Sequence, residues 1–148
     1  GDAIPYGRIA VCGGGLVGTE TAEYLAQRGY KVSIIEMKEK IAAEESSTII
    51  PFMMADFKEH QTELLPLHKI LEFTNAGVRT EVIDKDGNKV SEELVKADTI
   101  VNALSSVKVL PNLEGVTKPI HYVGDCAGER PSNIEHAIKS AYDVASQI

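Results

Sequence analysis

The sequence has 148 residues, of which 43% are hydrophobic and 25% are charged, a composition that is typical of one globular domain and excludes a disordered or collagen-like chain. The formal net charge is -7, from 15 lysines and arginines against 22 aspartates and glutamates, and there is no basic cluster, so we expect no nucleic-acid partner. The longest apolar runs, such as residues 9–12 and 32–35, are far shorter than the roughly 20 residues that cross a bilayer, so we expect no membrane partner.

The first predicted unit is a strand, a turn, a helix and a second strand. Residues 8–12 form a short apolar run that ends in three glycines, and apolar residues then recur with helical spacing over residues 16–28. Gly29 follows where a residue without a Cβ can close a helix, and residues 31–36 supply a second β-branched run. Strand, helix and strand within about 30 residues match the size of one βαβ unit.

The middle of the chain is predicted to contain little helix and several short strands. Between residues 42 and 60, Pro51 interrupts any single helix, so we expect a loop or broken helix before a helical piece at residues 52–59. Short runs separated by turn-forming residues then predict a small β meander. These runs are residues 62–65, 69–73, 78–83 and 90–95, with hairpin turns at residues 75–77 and 84–88.

The last part of the chain is predicted to return from strand to helix. A buried strand is expected at residues 99–104 and, after an irregular stretch that contains prolines, another at residues 120–123. A helix is then predicted over residues 133–146. Ser132 and Glu135 have the spacing of a capping box, in which a hydroxyl and a carboxylate each satisfy an unpaired amide at the start of a helix.

The two cysteines and four histidines form no recognisable site in the sequence. Cys12 and Cys126 lie too far apart for a CxxC redox pair, and two thiols cannot build the disulfide framework of a small secreted domain. The histidines lack the close spacings that hold zinc. We therefore expect a cytoplasmic protein without a metal site.

The glycine cluster after the first predicted strand satisfies the pattern GxGxxG where a predicted helix opens. Its first glycine permits a sharp turn, its second lets a diphosphate approach the backbone, and its third lets the helix pack close to the sheet. The diphosphate would face unpaired amides and the positive end of the helix dipole. The alternative is a glycine cluster that only makes a tight turn. The predicted dinucleotide-binding residues here are Gly13, Gly14, Gly15, Leu16, Val17 and Gly18.

An acidic residue, Glu36, ends the second predicted strand, 18 residues after Gly18. At this distance from the motif a carboxylate can accept hydrogen bonds from the adenosine ribose hydroxyls. The same charge repels a 2′-phosphate, so Glu36 favours NADH over NADPH. Lys38 and Lys40 follow closely and soften that repulsion. The alternative is that Glu36 is a solvated charge at a strand end.

Together, several segments resemble the pyridine-nucleotide flavoprotein family. More narrowly, they are similar to the C-terminal region of the NADH:flavin oxidoreductases related to 2,4-dienoyl-CoA reductase and 2-enoate reductase. The likeness spans about residues 8–145 but is poor over residues 42–60. The segments that carry it are GGGLVGTETA at residues 13–22, the acidic strand end at Glu36, the meander, ADTIVNA at residues 97–103 and YVGDC at residues 122–126.

The resemblance implies an α/β fold of Rossmann type, with a central parallel sheet, a three-stranded β-meander crossover and a C-terminal strand-helix unit. It also implies that residues 1–148 are a single NAD(H)-binding domain, a fragment of a larger flavoprotein. In the family this domain is inserted into an FAD or ADP-binding domain. Residues 118–148 resemble the strand and helix that return to that second domain.

The resemblance assigns roles to two further acids. Glu20 resembles the glutamate that lies beside the nicotinamide in disulfide-reductase relatives, and the alternative is an exposed acid favoured by the helix dipole. Asp125 resembles the aspartate that faces the ribityl and pyrophosphate part of the flavin nucleotide, and the alternative is a simple turn residue. The family's usual Ala-x-Gly after the last strand of its NADH domain is replaced here by Ala103, Leu104 and Ser105.

The implied function is delivery of hydride from NADH to a flavin, FAD or FMN, in an intact parent protein. The reduced flavin would then reduce an enoate- or enone-type acceptor. The flavin-binding and substrate domains of the parent are the implied partners, no catalytic residue is identified in this segment, and we expect the isolated chain to be inactive and colourless. Two alternatives stay open: a stand-alone NAD(H) sensor module, and an NAD-dependent dehydrogenase that lacks its substrate domain.

Overall fold

The computed structural model describes residues 4–43, 45–128 and 134–147. The chain divides into two compact units, Gly1–Leu104 and Ser105–Ile148, and each is described by itself. The elements of the first unit are β1 (Arg8–Cys12), α1 (Leu16–Ala26), β2 (Lys31–Ile35), α2 (Ile50–Glu59), β3 (Glu63–Leu65), β4 (His68–Thr74), β5 (Gly77–Ile83), β6 (Lys89–Lys96) and β7 (Thr99–Asn102). The second unit contains a short 3₁₀ turn (Gly124–Cys126) and α3 (Ile134–Ala145).

A parallel sheet with the strand order β3-β2-β1-β7 forms the centre of the first unit. Its inner strands are apolar on both faces, because helices cover one face and a second sheet covers the other. Ile9, Val11 and Ile34 pack towards the helices, whereas Cys12 and Ile35 pack towards the second sheet. The predicted parallel α/β architecture is confirmed.

Asp98 ties the start of β1 to the start of β7. Its Oδ2 atom accepts hydrogen bonds from the main-chain amide of Arg8 at 2.8 Å and from the Arg8 Nε at 3.2 Å. These hydrogen bonds lower the pKa of the Asp98 carboxyl. Gly7 lies directly beside this carboxylate with φ +64, where a Cβ would stand 2.4 Å from Oδ2, so the approach requires glycine.

The crossover from β1 to β2 is α1, which buries one face on the sheet. Its buried positions include the apolar Leu25 and two small residues, Ala22 and Ala26, which allow close packing. The helix ends at Ala26, two residues before the predicted end, and Gly29 reverses the chain with φ +84. The predicted βαβ unit is therefore present, with only its helix end shifted.

The second helix corrects the expectation that Pro51 interrupts a helix. Pro51 lies in the first turn of α2, where its missing amide has no intrahelical acceptor to lose. The helix accordingly begins at Ile50 rather than at residue 52. Met53 and Phe57 are its buried residues and anchor it in the core.

The β meander has three strands, and residues 62–65 do not belong to it. This run is predicted as the first strand of the meander, but its last three residues form β3 at the edge of the parallel sheet, with Ser33 opposite Glu63. The Ser33 hydroxyl donates a hydrogen bond to Glu63 Oε2 at 2.7 Å. β4, β5 and β6 make the antiparallel sheet, and the predicted turns at residues 75–77 and 84–88 join its strands.

The second unit contains the predicted C-terminal helix but not the predicted strand. Residues 120–123 form no strand ladder, because a strand needs a hydrogen-bonded neighbour and no described residue pairs with them. The Gly124 amide donates instead to the Ser140 hydroxyl of α3 at 2.8 Å. Ser132 of the predicted capping box lies outside the described residues. In the described part of the chain no helix is long and apolar enough to span a membrane.

Candidate functional site

The glycine-rich loop begins in a tight space between the ends of three parallel strands. Gly13 follows β1 with φ +111, and its amide donates to the Ile35 carbonyl of β2 at 2.8 Å. On the other side, a Cβ on Gly13 would stand 2.5 Å from the Ala103 carbonyl oxygen that follows β7. Both the backbone angle and the space therefore require glycine here, as the sequence predicts.

The last glycine of the motif allows α1 to start against the same loop. A Cβ on Gly18 would stand 1.8 Å from the Gly13 carbonyl oxygen, so no side chain fits between the helix and the turn. Gly15 differs, because a Cβ built on it meets nothing within 4 Å. Gly15 thus faces open space next to the start of the helix, as expected for a backbone position that a ligand approaches.

The amides at the start of α1 are available to a ligand. Among the residues that the structure describes, the amides of Gly15, Leu16, Val17 and Gly18 donate no hydrogen bond, as is usual for the first four amides of a helix. The amides of Gly13 and Gly14, in contrast, are already engaged by Ile35 and Glu36. The anion-binding capacity of the loop is therefore concentrated in the last four motif residues.

Glu36 lies directly beside the glycine-rich loop. Its Oε2 atom accepts the Gly14 amide at 2.7 Å, and its Oε1 atom accepts the Lys38 amide at 2.8 Å. A small depression brings the loop, this acid and two lysines together. Its lining consists of Gly14, Gly15, Glu36, Lys38, Lys40 and Ala43. The contribution of Ala43 is not predicted by the sequence, which has no regular pattern in that segment.

The two acids singled out through the family resemblance lie in different units. Glu20 is exposed on α1, one helical turn after Leu16. Asp125 is exposed in the 3₁₀ turn Gly124–Cys126 of the second unit. Glu20 thus belongs to the same helix as the free amides, whereas Asp125 belongs to the second unit.

Cys12 ends β1 just before the glycine-rich loop, but its thiol is unsuited to act as a nucleophile. It is buried and forms no disulfide, and burial raises its pKa to about 11. At neutral pH the thiol is therefore protonated, and the thiolate is the nucleophilic form. The described residues also contain no group of three histidine, cysteine, aspartate or glutamate side chains that could hold a metal ion.

A larger groove, with a volume of about 640 Å³, opens at the amino ends of the parallel strands, opposite the glycine-rich loop. It includes residues from the starts of the strands, such as Arg8, Lys31 and Glu63, together with Glu93 of β6. Its charges are of both signs, and it contains none of the predicted dinucleotide-binding residues. Ligands of open α/β sheets bind at the carboxyl ends of the strands, so the smaller depression is the better candidate site.

The chain matches known proteins over most of its length. Residues 2–104 match the family model described as pyridine nucleotide-disulphide oxidoreductase. The chain is 37% identical over 145 residues to the bilirubin reductase of Mediterraneibacter gnavus (strain CC55_001C), covering 98% of the chain and 22% of that protein. It is 30% identical over 147 residues to the cinnamate reductase of Clostridium sporogenes, covering 95% of the chain and 21% of that protein.

A solved structure shares the fold over nearly the whole chain. It is the complex of 2-naphthoyl-CoA reductase with 2-naphthoyl-CoA, with a TM-score of 0.75 and 22% identity, covering 99% of this chain and 22% of that one. The chain thus spans about a fifth of the length of these proteins.

Proposed function

Because the chain belongs to the pyridine nucleotide-disulphide oxidoreductase family, we propose that it is the NADH-binding part of a flavin-dependent oxidoreductase. The observation that carries this proposal is the open space at Gly15 beside four amides that donate no hydrogen bond in the described part of the chain. A diphosphate supplies oxygen acceptors for such amides, and the helix dipole favours its charge. The donor set therefore fits a dinucleotide.

The residues of the loop have distinct roles in this proposal. The amides of Gly15, Leu16, Val17 and Gly18 bind the diphosphate, while Gly13 and Gly14 shape the turn. Glu20 lies further along the same helix and is directed towards the nicotinamide end. In this arrangement the protein contributes position and electrostatics, and no side chain of the segment acts as an acid, a base or a nucleophile.

Glu36 would bind the adenosine ribose in this proposal. Its two oxygens each accept one backbone amide, and a carboxylate with two oxygens has about four acceptor sites. Acceptor capacity thus remains for the ribose hydroxyls. The negative charge disfavours a 2′-phosphate, although Lys38 and Lys40 in the same depression reduce this effect. NADH is therefore the proposed nucleotide.

The flavin would be held by the rest of a longer protein. When bound, FAD or FMN accepts a hydride from NADH and passes reducing equivalents to a further acceptor. We assign residues 118–148 to the flavin-binding domain, with Asp125 facing the flavin nucleotide. The named substrates of relatives, cinnamate and 2-naphthoyl-CoA, both carry a carbonyl group conjugated to unsaturated carbon, which supports an enoate- or enone-type acceptor.

Calorimetric titration of the chain with NADH and with NADPH tests the nucleotide proposal. We expect a saturable heat with NADH and binding of NADPH that is weaker by about tenfold, which corresponds to about 1.4 kcal/mol. Circular dichroism on the same sample establishes that the chain is folded. The absence of heat with millimolar NADH would overturn the proposed function, and tighter binding of NADPH would overturn the role of Glu36.

A further inference from the structure

We propose that Glu36 has a second role, as a positioning residue that fixes the shape of the glycine-rich loop before any nucleotide binds. This inference rests on the proposed function, because the loop is the proposed diphosphate site. The role differs from ribose binding, because its target is the protein's own backbone. Its basis is the pair of hydrogen bonds from the Gly14 and Lys38 amides to the Glu36 carboxylate.

The backbone of Glu36 is itself held firmly. Its amide donates to the Leu65 carbonyl at 2.9 Å, and its carbonyl accepts the His68 amide at 2.9 Å. The end of β3 and the start of β4 therefore fix the main-chain position of Glu36, from which its side chain extends. With the backbone fixed, only the side-chain torsions of Glu36 have to be ordered when its carboxylate accepts the two amides.

The carboxylate connects the glycine-rich loop to the segment that follows β2. The Gly14 amide donates to Glu36, and the Gly14 carbonyl accepts the Ala42 amide at 2.8 Å. Both main-chain polar groups of Gly14 are thus bonded to residues 36–42. Hydrogen bonds to an ionised acceptor are stronger than those between neutral groups, so Glu36 supplies the stronger of these two connections.

The close approach of the Glu36 side chain explains why residue 14 is a glycine. The motif leaves its second position open to any residue, and Gly14 is not among the residues with positive φ. A Cβ on Gly14 would stand 2.9 Å from the Glu36 Cβ and 3.1 Å from the Ile41 Cδ1. Glycine is therefore needed here for the close approach of Glu36 rather than for the backbone angle.

The consequence for binding concerns the orientation of the free amides. Gly14 directly precedes Gly15, so fixing the peptide of Gly14 fixes the direction from which the chain enters the helix. Without the carboxylate, the Gly14 amide would lose its charged acceptor, and the peptide of Gly14 would be held less firmly. The free amides at the start of α1 would then no longer be oriented before the nucleotide binds. Part of the binding free energy would be used to order them, which lowers the affinity.

A comparison of two ligands with two variants separates the positioning role from ribose binding. The ligands are NADH and an NADH analogue whose adenosine ribose lacks the 2′ and 3′ hydroxyls. Glu36→Gln removes the charge with little change in size. Glu39→Gln is the matched control, because Glu39 is an exposed acid in the same segment, pairs with Lys85 and does not line the depression.

We expect Glu36→Gln to weaken binding of the dihydroxyl-free analogue by about fivefold to tenfold, because the glutamine oxygen accepts only a neutral, weaker hydrogen bond from the Gly14 amide. Glu39→Gln should leave binding of the analogue unchanged. If Glu36→Gln weakens only NADH and leaves the analogue unaffected, Glu36 acts on the ribose alone and the inference is wrong. Thermal unfolding of both variants establishes that they remain folded.

Measurements without nucleotide test the positioning role independently. In the amide NMR spectrum of the free protein, Glu36→Gln should move the Gly14 amide proton upfield and speed its exchange with solvent, whereas Glu39→Gln should do neither. An unchanged Gly14 resonance would overturn the inference even if NADH binds. Conversely, a shifted Gly14 resonance in a protein that does not bind NADH would overturn the proposed function and leave the positioning role intact.

Discussion

Gly15 and Gly18 belong to the same motif, but the physical reasons for a glycine differ between them. Gly18 is required by the protein itself, because a Cβ there would overlap the Gly13 carbonyl oxygen. Gly15 has ordinary extended backbone angles and open space around it, so the fold alone would accept alanine. Beyond its preference over alanine at the N-cap, Gly15 gains a reason to lack a side chain from a ligand that approaches the backbone.

Alanine substitutions at these two glycines therefore have separable outcomes. Gly15→Ala should change the free energy of unfolding by less than about 1 kcal/mol, because the poorer N-cap is offset by a less flexible unfolded chain. It should still weaken NADH binding by about tenfold. Gly18→Ala should lower the free energy of unfolding by about 2 kcal/mol or more, because of overpacking. Chemical denaturation and calorimetry measure both. Unchanged NADH binding in Gly15→Ala would contradict the proposed diphosphate position.

The sequence predicts the glycine motif and Glu36 separately but not their contact. Glycine spacing predicts a turn followed by a helix because both features are local in the chain. The hydrogen bond from the Gly14 amide to Glu36 depends on the register of β1 against β2, which pairs Cys12 with Ile35. It also depends on the path of residues 37–42, which have no periodic pattern. Long-range register therefore determines which loop amides remain free.

At the scale of elements, two short segments illustrate why context outweighs local pattern. Pro51 in isolation predicts a break in the helix, yet a proline costs little in the first turn, which is where it lies in α2. Residues 63–65 resemble the meander strands in composition, but they pair with β2 in the parallel sheet. A strand of three residues carries too little periodicity to distinguish a meander from a sheet edge.

The α2 helix offers a matched pair of phenylalanines for testing how it is anchored. Phe57 is 1% exposed and packs in the core cluster, whereas Phe52 is 75% exposed. We expect Phe57→Ala to lower the free energy of unfolding by about 3–5 kcal/mol, because it leaves a cavity. Phe52→Ala should change it by less than about 0.5 kcal/mol. Urea denaturation followed by circular dichroism measures both. Equal destabilisation by the two substitutions would mean that α2 packs through a different face.

At the scale of the whole molecule, the residues that we propose for NADH and the residue that we propose for the flavin lie in different units. The glycine-rich loop, Glu20 and Glu36 lie in the first unit, and the family model matches residues 2–104. Asp125 lies in the second unit, whose predicted strand at residues 120–123 has no pairing neighbour in the part of the chain that the structure describes. The first unit therefore contains every residue that we propose for NADH, and the second contains the one that we propose for the flavin.

A shortened chain of residues 1–104 tests this division directly. Because every proposed NADH contact precedes residue 105, the dissociation constant for NADH should agree with that of the full chain within about twofold, a difference of less than about 0.5 kcal/mol. Circular dichroism and a cooperative unfolding transition would establish that the shortened chain is folded, and Gly15→Ala in that background should weaken binding as it does in the full chain. Loss of NADH binding by a folded shortened chain would mean that residues 105–148 form part of the nucleotide site.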